Sequence, residues 1–88
     1  MIITNAQHLQ DYTLRLTFEN GQQRDFDFSD YVQKPMYKQY GSAKAFAKFK
    51  IVHNNLDLMW GDMDLMFEGT YLYKNGKAVP KSARAKAA

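Results

Sequence analysis

The chain has 88 residues, of which 45% are hydrophobic and 24% charged, and this is the composition of one small globular domain. It contains no cysteine, which excludes disulfides, thiolate metal ligands and cysteine nucleophiles. It has no run of about 20 apolar residues that a membrane-spanning helix needs. Residues 1–4 lack the basic region and long apolar stretch of a secretion signal, and we therefore expect a cytoplasmic protein without a membrane partner.

The net charge of +3 is distributed unevenly along the chain. Residues 1–73 carry seven Lys/Arg and nine Asp/Glu, a net charge of −2, whereas residues 74–88 carry five Lys/Arg and no acid. No large apolar residue follows Val79, so the end of the chain cannot bury enough surface to offset its ordering entropy. The sequence therefore predicts one domain over residues 1–76 and a mobile basic tail over residues 77–88.

The first half of the chain is typical of a short strand followed by a hairpin. Residues 2–6 are expected to form the short strand, and residues 12–18 alternate apolar with polar side chains. A three-residue loop over residues 19–21 pairs Leu14 with Phe26 and brings all the apolar side chains to one face. A two-residue loop would set Leu14 beside Asp25, so the longer loop is favoured, with Gly21 in the left-handed region.

Two short helical segments are expected between this hairpin and the next one. Ser29 or Asp30 is predicted to cap one turn that Pro35 ends. Residues 34–40 are then a linker, and Ser42 is predicted to cap a helix over residues 43–48.

The second half of the chain predicts another hairpin and a last strand. A two-residue loop at Asn54-Asn55 pairs Ile51 with Leu58, since Asn tolerates the positive φ of that turn. This register places five large apolar side chains on one face: Phe49, Ile51, Leu56, Leu58 and Trp60. Residues 70–73 are expected to form the last strand. The predicted fold class is α+β, with two antiparallel β-hairpins plus short N- and C-terminal strands, covered by one or two short helices.

The sequence offers no catalytic, metal or cofactor site. Asp62, Asp64 and Glu68 cluster as in a calcium loop, but Met66 occupies the position of the third ligand and Phe67 that of the glycine, so we expect a solvated acidic loop. The two histidines stand apart without zinc-ligand spacing, His8 in a predicted loop and His53 at a strand end. We therefore expect neither an enzyme nor a bound cofactor.

Some apolar residues remain after the two hairpin faces are assigned. They are Val52 and Met59 on the outer face of the second hairpin, and Met63, Met66 and Phe67 just beyond it. A small domain cannot bury all of its apolar surface alone. We therefore predict that this surface binds a protein partner, and that the isolated domain forms a homodimer through it.

Nucleic-acid binding is the alternative interpretation. Cations alternate with aromatic residues near residues 34–50, as they do in single-strand binders. The contacts predicted for this alternative are Lys34, Tyr37, Lys38, Tyr40 and Lys44, together with Lys81, Arg84 and Lys86 of the basic tail. A linker whose tyrosine rings pack on the core is the favoured explanation of the same pattern.

The order of several short motifs resembles the bacterial domain of unknown function family 2442. They are Phe18-Glu19-Asn20-Gly21, Phe26-Asp27-Phe28 and Trp60-Gly61, and the resemblance covers roughly residues 1–75. Members often carry a proline near positions 66–67, which this chain lacks, and the basic tail is not a family feature. The resemblance implies a small α+β domain, found alone or fused to helix-turn-helix modules, with no established catalytic residues. It also implies a regulatory or protein-interaction role, because the genes often lie in arrangements that resemble toxin–antitoxin pairs.

Overall fold

Two antiparallel sheets and three short α-helices share one hydrophobic core within residues 1–80, the part of the chain that this computed structural model describes. The elements in chain order are β1 (Ile3–Gln10), β2 (Thr13–Phe18), β3 (Gln23–Asp27), α1 (Ser29–Val32), a 3₁₀ helix (Pro35–Tyr40), α2 (Ala43–Phe46), β4 (Lys50–Val52), β5 (Asp57–Trp60), β6 (Leu65–Glu68), α3 (Gly69–Asn75) and β7 (Lys77–Ala78). The α+β class is confirmed.

The first sheet has the strand order β1-β2-β3-β7 and contains the predicted first hairpin. Leu14 pairs with Phe26, so the three-residue loop is confirmed, and Gly21 closes it with φ at +82°. Strand β1 runs to Gln10 and not to residue 6, because its second half pairs with β2 even though its side chains do not alternate in polarity.

The second sheet has the strand order β4-β5-β6. Ile51 pairs with Leu58, and the Leu56 amide donates to the His53 carbonyl at 3.1 Å across Asn54 and Asn55, so the predicted register is confirmed. Positive φ extends over His53 as well as the two asparagines, at 56°, 57° and 65°. Leu56 was expected on the buried face, but it is 45% exposed because it lies at the end of the hairpin.

Of the two helix caps predicted from the sequence, one is confirmed and one is wrong. Ser42 caps α2 by accepting a hydrogen bond from the amide of Ala45 at 3.1 Å, as predicted. The prediction that Ser29 or Asp30 caps α1 is wrong, because both residues lie inside the helix. The Asp27 carboxylate accepts from the amide of Ser29 at 2.9 Å instead. The expected linker contains the 3₁₀ helix, with Pro35 as its first residue.

The predicted last strand over residues 70–73 is wrong, because these residues form part of α3. A helical turn buries Leu72 completely. After α3, Lys77–Ala78 pair with β3 and Val79 is buried, so the first residues of the predicted tail pack against the domain. Residues 81–88 of that tail lie outside the described residues.

The core lies between the inner faces of the two sheets and the helices. Trp60 is 1% exposed, stacks on Phe46 with ring centroids 5.3 Å apart, and donates from Nε1 to the Phe46 carbonyl at 2.8 Å. The core cluster comprises Ile3, Leu14, Leu16, Phe18, Phe26, Phe28, Val32, Phe46, Leu58, Trp60, Leu65, Phe67 and Leu72. The predicted core position of Trp60 is confirmed.

Candidate functional site

The outer face of the second sheet carries most of the apolar residues that the sequence left over. Alternation along β4, β5 and β6 puts six side chains on this face: Lys50, Val52, Asp57, Met59, Met66 and Glu68. Phe67 does not belong to it. Phe67 pairs with Leu58 on the inner face and is only 7% exposed, so it is not an exposed residue of the predicted partner surface, although it lines a cavity beside Met66.

The methionines of this region differ in how far they reach solvent. Met59 is 8% exposed, and the turn between β5 and β6 lies next to it, since the Met63 amide donates to the Met59 sulfur at 3.1 Å. Met66 is the cross-strand neighbour of Met59 and is 38% exposed, and Met63 is 58% exposed. Val52 is half-buried. Met63 and Met66 therefore offer free surface, whereas Met59 is nearly covered.

Met66 is where two shallow cavities meet. One has a volume of about 330 Å³ and is also lined by Tyr71, and the other has a volume of about 340 Å³ and is also lined by Leu56. Leu56 and Tyr71 are themselves exposed apolar residues, at 45% and 42%. We call the residues Leu56, Met59, Met63, Met66 and Tyr71 the Met66 surface.

Sequence reasoning missed two members of this surface. Leu56 was placed inward by parity, although its position beside the Asn54-Asn55 turn indicates a strand end. Tyr71 was placed on a strand, and α3 turns it outward instead.

A hydroxyl pair holds Tyr71 at the rim of the Met66 surface. The hydroxyls of Tyr71 and Tyr31 lie 2.8 Å apart, and the two rings flank Phe67. The hydrogen bond to Tyr71, followed by burial and nearby negative charge, raises the pKa of Tyr31 to about 12. The side chain of Tyr71 is thus held by a partner on α1.

A separate groove lies between the 3₁₀ helix, α2 and the end of the second sheet. Its volume is about 490 Å³. It is lined by Gln39, Tyr40, Ala45, Lys48, Lys50, Met59, Trp60, Gly61 and Asp62. Since Lys50 and Met59 belong to the outer face of the second sheet, the groove adjoins the Met66 surface.

One carboxylate fixes the wall of this groove. Asp64 accepts a hydrogen bond from the Tyr40 hydroxyl at 2.6 Å and another from Gln39 Nε2 at 2.9 Å. The bond to Asp64 raises the pKa of Tyr40. Gly61 has φ at +70°, and a Cβ there would lie 2.3 Å from the Tyr40 hydroxyl oxygen. The 3₁₀ helix is therefore tied to the turn between β5 and β6.

The predicted nucleic-acid residues do not form one cluster. Tyr40 lines the groove, beside Lys48 and Lys50. Lys34 lies over the Tyr31 ring at 5.7 Å, and Tyr37 packs against the core. Lys38 and Lys44 are exposed and are not among the groove residues. Lys81, Arg84 and Lys86 lie outside the described residues.

The acidic and histidine side chains of this region bond to protein groups. Asp64 bonds to Tyr40 and Gln39, and His53 Nδ1 lies 2.7 Å from Asp57. His8 lies in β1, edge-on to Phe46, and the prediction of a loop position for it is wrong. Within residues 1–80, no group of three or more His, Cys, Asp or Glu side chains is placed to hold a metal ion. None of the helices in that part of the chain has the length and apolar character to cross a membrane.

The sequence model of the family described as "Protein of unknown function (DUF2442)" matches residues 3–78, which include both sheets and all the helices. The chain belongs to this family. The match confirms the resemblance seen in the sequence motifs, and the description of the DUF2442 family names no enzymatic activity. No curated protein and no solved structure gives a significant match to the chain.

Proposed function

We propose that this DUF2442 domain is a non-enzymatic, cytoplasmic protein-interaction module that binds its partner through the Met66 surface. The observation that carries the proposal is the convergence of exposed Leu56, Met66 and Tyr71 around two shallow cavities. Exposed apolar side chains are ordinary when scattered singly, whereas a contiguous group of them marks an interaction site.

The chemistry of the surface indicates the kind of partner it fits. Methionine is flexible and polarisable, so it adapts its shape to the apolar side chains of another protein. Glu68 is exposed and lines both cavities next to Met66. A matching partner surface would present apolar side chains at its centre and a cation opposite Glu68.

We infer that the partner is the small protein encoded by the neighbouring gene, in an antitoxin-like, regulatory pair. The gene arrangement implied by the family resemblance supports this choice. A standard interface buries about 800 Å² on each partner. Without the partner, a second copy covers the same surface, and sedimentation at micromolar concentration is expected to show a homodimer.

Co-expression with the neighbouring gene product, followed by size-exclusion chromatography, tests the proposal. We expect co-elution for the parent chain and its loss for Met66→Lys, because the substitution places a charge at the centre of the apolar contact. The matched control is Met36→Lys, the same substitution at a 66% exposed position on the 3₁₀ helix. Exposed substitutions change the free energy of unfolding by about 0.5 kcal/mol or less, so both variants should fold.

Two results would contradict the proposal. One is separate elution of two folded proteins. The other is co-elution that Met66→Lys leaves unchanged.

Nucleic-acid binding is the second candidate, and the meeting of Tyr40 with Lys48 and Lys50 in the groove favours it. Aromatic rings stack on bases while lysines contact phosphates. The test is binding to a single-stranded oligonucleotide over a salt series, with the full chain and a version lacking residues 81–88. This candidate predicts affinity that falls steeply with salt and weakens on truncation. Affinity that is independent of salt would exclude it.

A further inference from the structure

We propose that the groove between the 3₁₀ helix and the second sheet binds a small molecule that joins an anionic group to a planar apolar body. This inference does not depend on the Met66 surface binding a protein. It rests on the shape of the groove, on a wall that is already in place, and on two lysines that have no side-chain partner among residues 1–80.

The size and lining of the groove match those of ligand sites. Its volume of about 490 Å³ lies within the range of roughly 300–1,000 Å³ that small-molecule pockets occupy. Ala45, Met59 and the edge of Trp60 supply apolar surface, and a few polar groups surround it. Such a combination accepts an apolar body and orients it through its polar end.

The wall of the groove is formed without a ligand. Asp64 holds both Tyr40 and Gln39, so the 3₁₀ helix is fixed against the turn that contains Gly61. Because the position of Tyr40 is set in advance, a ligand that packs beside its ring loses less free energy to ordering the protein.

The charges at the groove select an anion. Lys48 and Lys50 are exposed, and within residues 1–80 neither forms an ion pair or a side-chain hydrogen bond. The lining holds these two lysines and one acid, Asp62, while the Asp64 carboxylate behind the wall already accepts hydrogen bonds from Tyr40 and Gln39. An anionic group would contact both ammonium groups while the apolar body lies over Ala45 and Met59.

The groove fits a single compact molecule better than it fits a polymer. Single-strand binding uses a row of aromatic platforms for successive bases. Here Tyr40 is half-buried, and Trp60, the only other aromatic lining residue, is 1% exposed. One planar group can be placed beside Tyr40, and a second has no platform in the groove.

Two dyes with nearly the same aromatic body test the inference on the full chain. The anionic probe is 1-anilinonaphthalene-8-sulfonate, and the neutral probe is N-phenyl-1-naphthylamine. Trp60 is the only tryptophan of the protein, so energy transfer from Trp60 to either dye reports binding to the domain, and the variants described next locate the site. Titration of each dye gives its dissociation constant and stoichiometry.

Three variants separate charge from shape. Lys48→Gln/Lys50→Gln removes both groove cations, and Lys74→Gln/Lys77→Gln removes the same charge from exposed positions outside the groove. Ala45→Leu fills part of the groove with a residue that helices accept well. Circular dichroism confirms that each variant folds.

We expect one site per chain, with the anionic dye favoured over the neutral one in the parent and in the Lys74/Lys77 control. In Lys48→Gln/Lys50→Gln the ratio of the two affinities should fall about fivefold, as expected for two solvent-exposed charge contacts. Ala45→Leu should weaken both dyes. An unchanged ratio in the groove variant, or unchanged binding of both dyes in Ala45→Leu, would overturn the assignment.

Discussion

The outer faces of the two sheets carry opposite chemistry. On the first sheet, β2 and β3 contribute to this face Thr13, Arg15, Thr17, Gln23, Asp25 and Asp27. Arg15 donates to both carboxylate oxygens of Asp25, at 2.8 Å and 3.0 Å, and Gln23 Nε2 donates to the Thr17 hydroxyl at 2.9 Å. On the second sheet the corresponding face holds Val52, Met59 and Met66 among its charged residues.

This difference indicates which side of the molecule is built for contact. Polar side chains that bond to one another and to water gain little from a covering protein. Exposed methionines gain about 25 cal/mol for each Å² removed from water. Both sheets use their inner faces for the common core. On the second sheet, exposed Met66 meets Leu56 and Tyr71 around two cavities, whereas Leu9 of the first sheet, which is 39% exposed, lines neither cavity.

The largest expected effect comes from the inner side of the second sheet. Trp60→Ala should lose about 3–5 kcal/mol of stability, because it empties a buried site and removes the bond to the Phe46 carbonyl. A domain of this size has about 5 kcal/mol or little more in total, so the variant should be largely unfolded. Met63→Ala, at a 58% exposed position, should melt like the parent. Cooperative melting of Trp60→Ala near the parent temperature would contradict the assignment of the two faces.

Gly61→Ala should have the next largest effect, about 2 kcal/mol in urea unfolding. Alanine is strained at a φ of +70°, and its Cβ would lie 2.3 Å from the Tyr40 hydroxyl oxygen. Tyr40→Phe removes that oxygen, so the double variant should be more stable than the sum of the two single effects predicts. Additive effects would show that the Tyr40 hydroxyl does not press on this turn.

Arg15→Met tests the polar face and should lower the free energy of unfolding by about 1 kcal/mol. The Arg15–Asp25 pair has two hydrogen bonds and side chains only 19% and 23% exposed, so it belongs to the stronger surface pairs. High salt should reduce the difference in the free energy of unfolding between the parent and Arg15→Met, because salt screens the ion pair that only the parent has. Equal stability of parent and Arg15→Met at low salt would show that this face is not held by its own contacts.

The smallest effect is the pH dependence at the rim of the Met66 surface. Because the pKa of Tyr31 is raised to about 12 from its ordinary value of 10.0, folding favours the neutral phenol. This stabilisation is complete below pH 10 and should be lost as the pH rises from about 10 to about 12. Tyr71→Phe removes the hydrogen bond responsible, so its melting temperature should fall less over that range. If the melting temperatures of the parent and Tyr71→Phe fall in parallel over this pH range, the Tyr71 hydrogen bond is not the cause of the raised pKa of Tyr31.

Local patterns were enough to predict the two hairpins. The parity of Leu14 against Phe26, and of Ile51 against Leu58, fixes each register, because a slip of one residue would expose a whole apolar face. The Ser42 cap is equally local. These elements depend on neighbours that are close in sequence.

The parts that could not be predicted depend on distant contacts. Residues 70–73 contain aromatic residues that favour strands, but burial of Leu72 in the common core is achieved by a helix. The Met66 surface brings together Leu56 from a turn, Met66 from β6 and Tyr71 from α3. The groove depends on the hydrogen bond between Asp64 and Tyr40. No spacing along the chain reveals either arrangement.

The methyl signals of the methionines test the central claim most directly. The chain has five methionines, and Met36, which is 66% exposed on the 3₁₀ helix, is an internal control for non-specific contact. Titration of methyl-labelled protein with the neighbouring gene product is predicted to shift and broaden the signals of Met63 and Met66 and to leave that of Met36 unchanged. A shift of the Met36 signal with Met63 and Met66 unaffected would contradict the assignment of the second sheet's outer face as the partner surface.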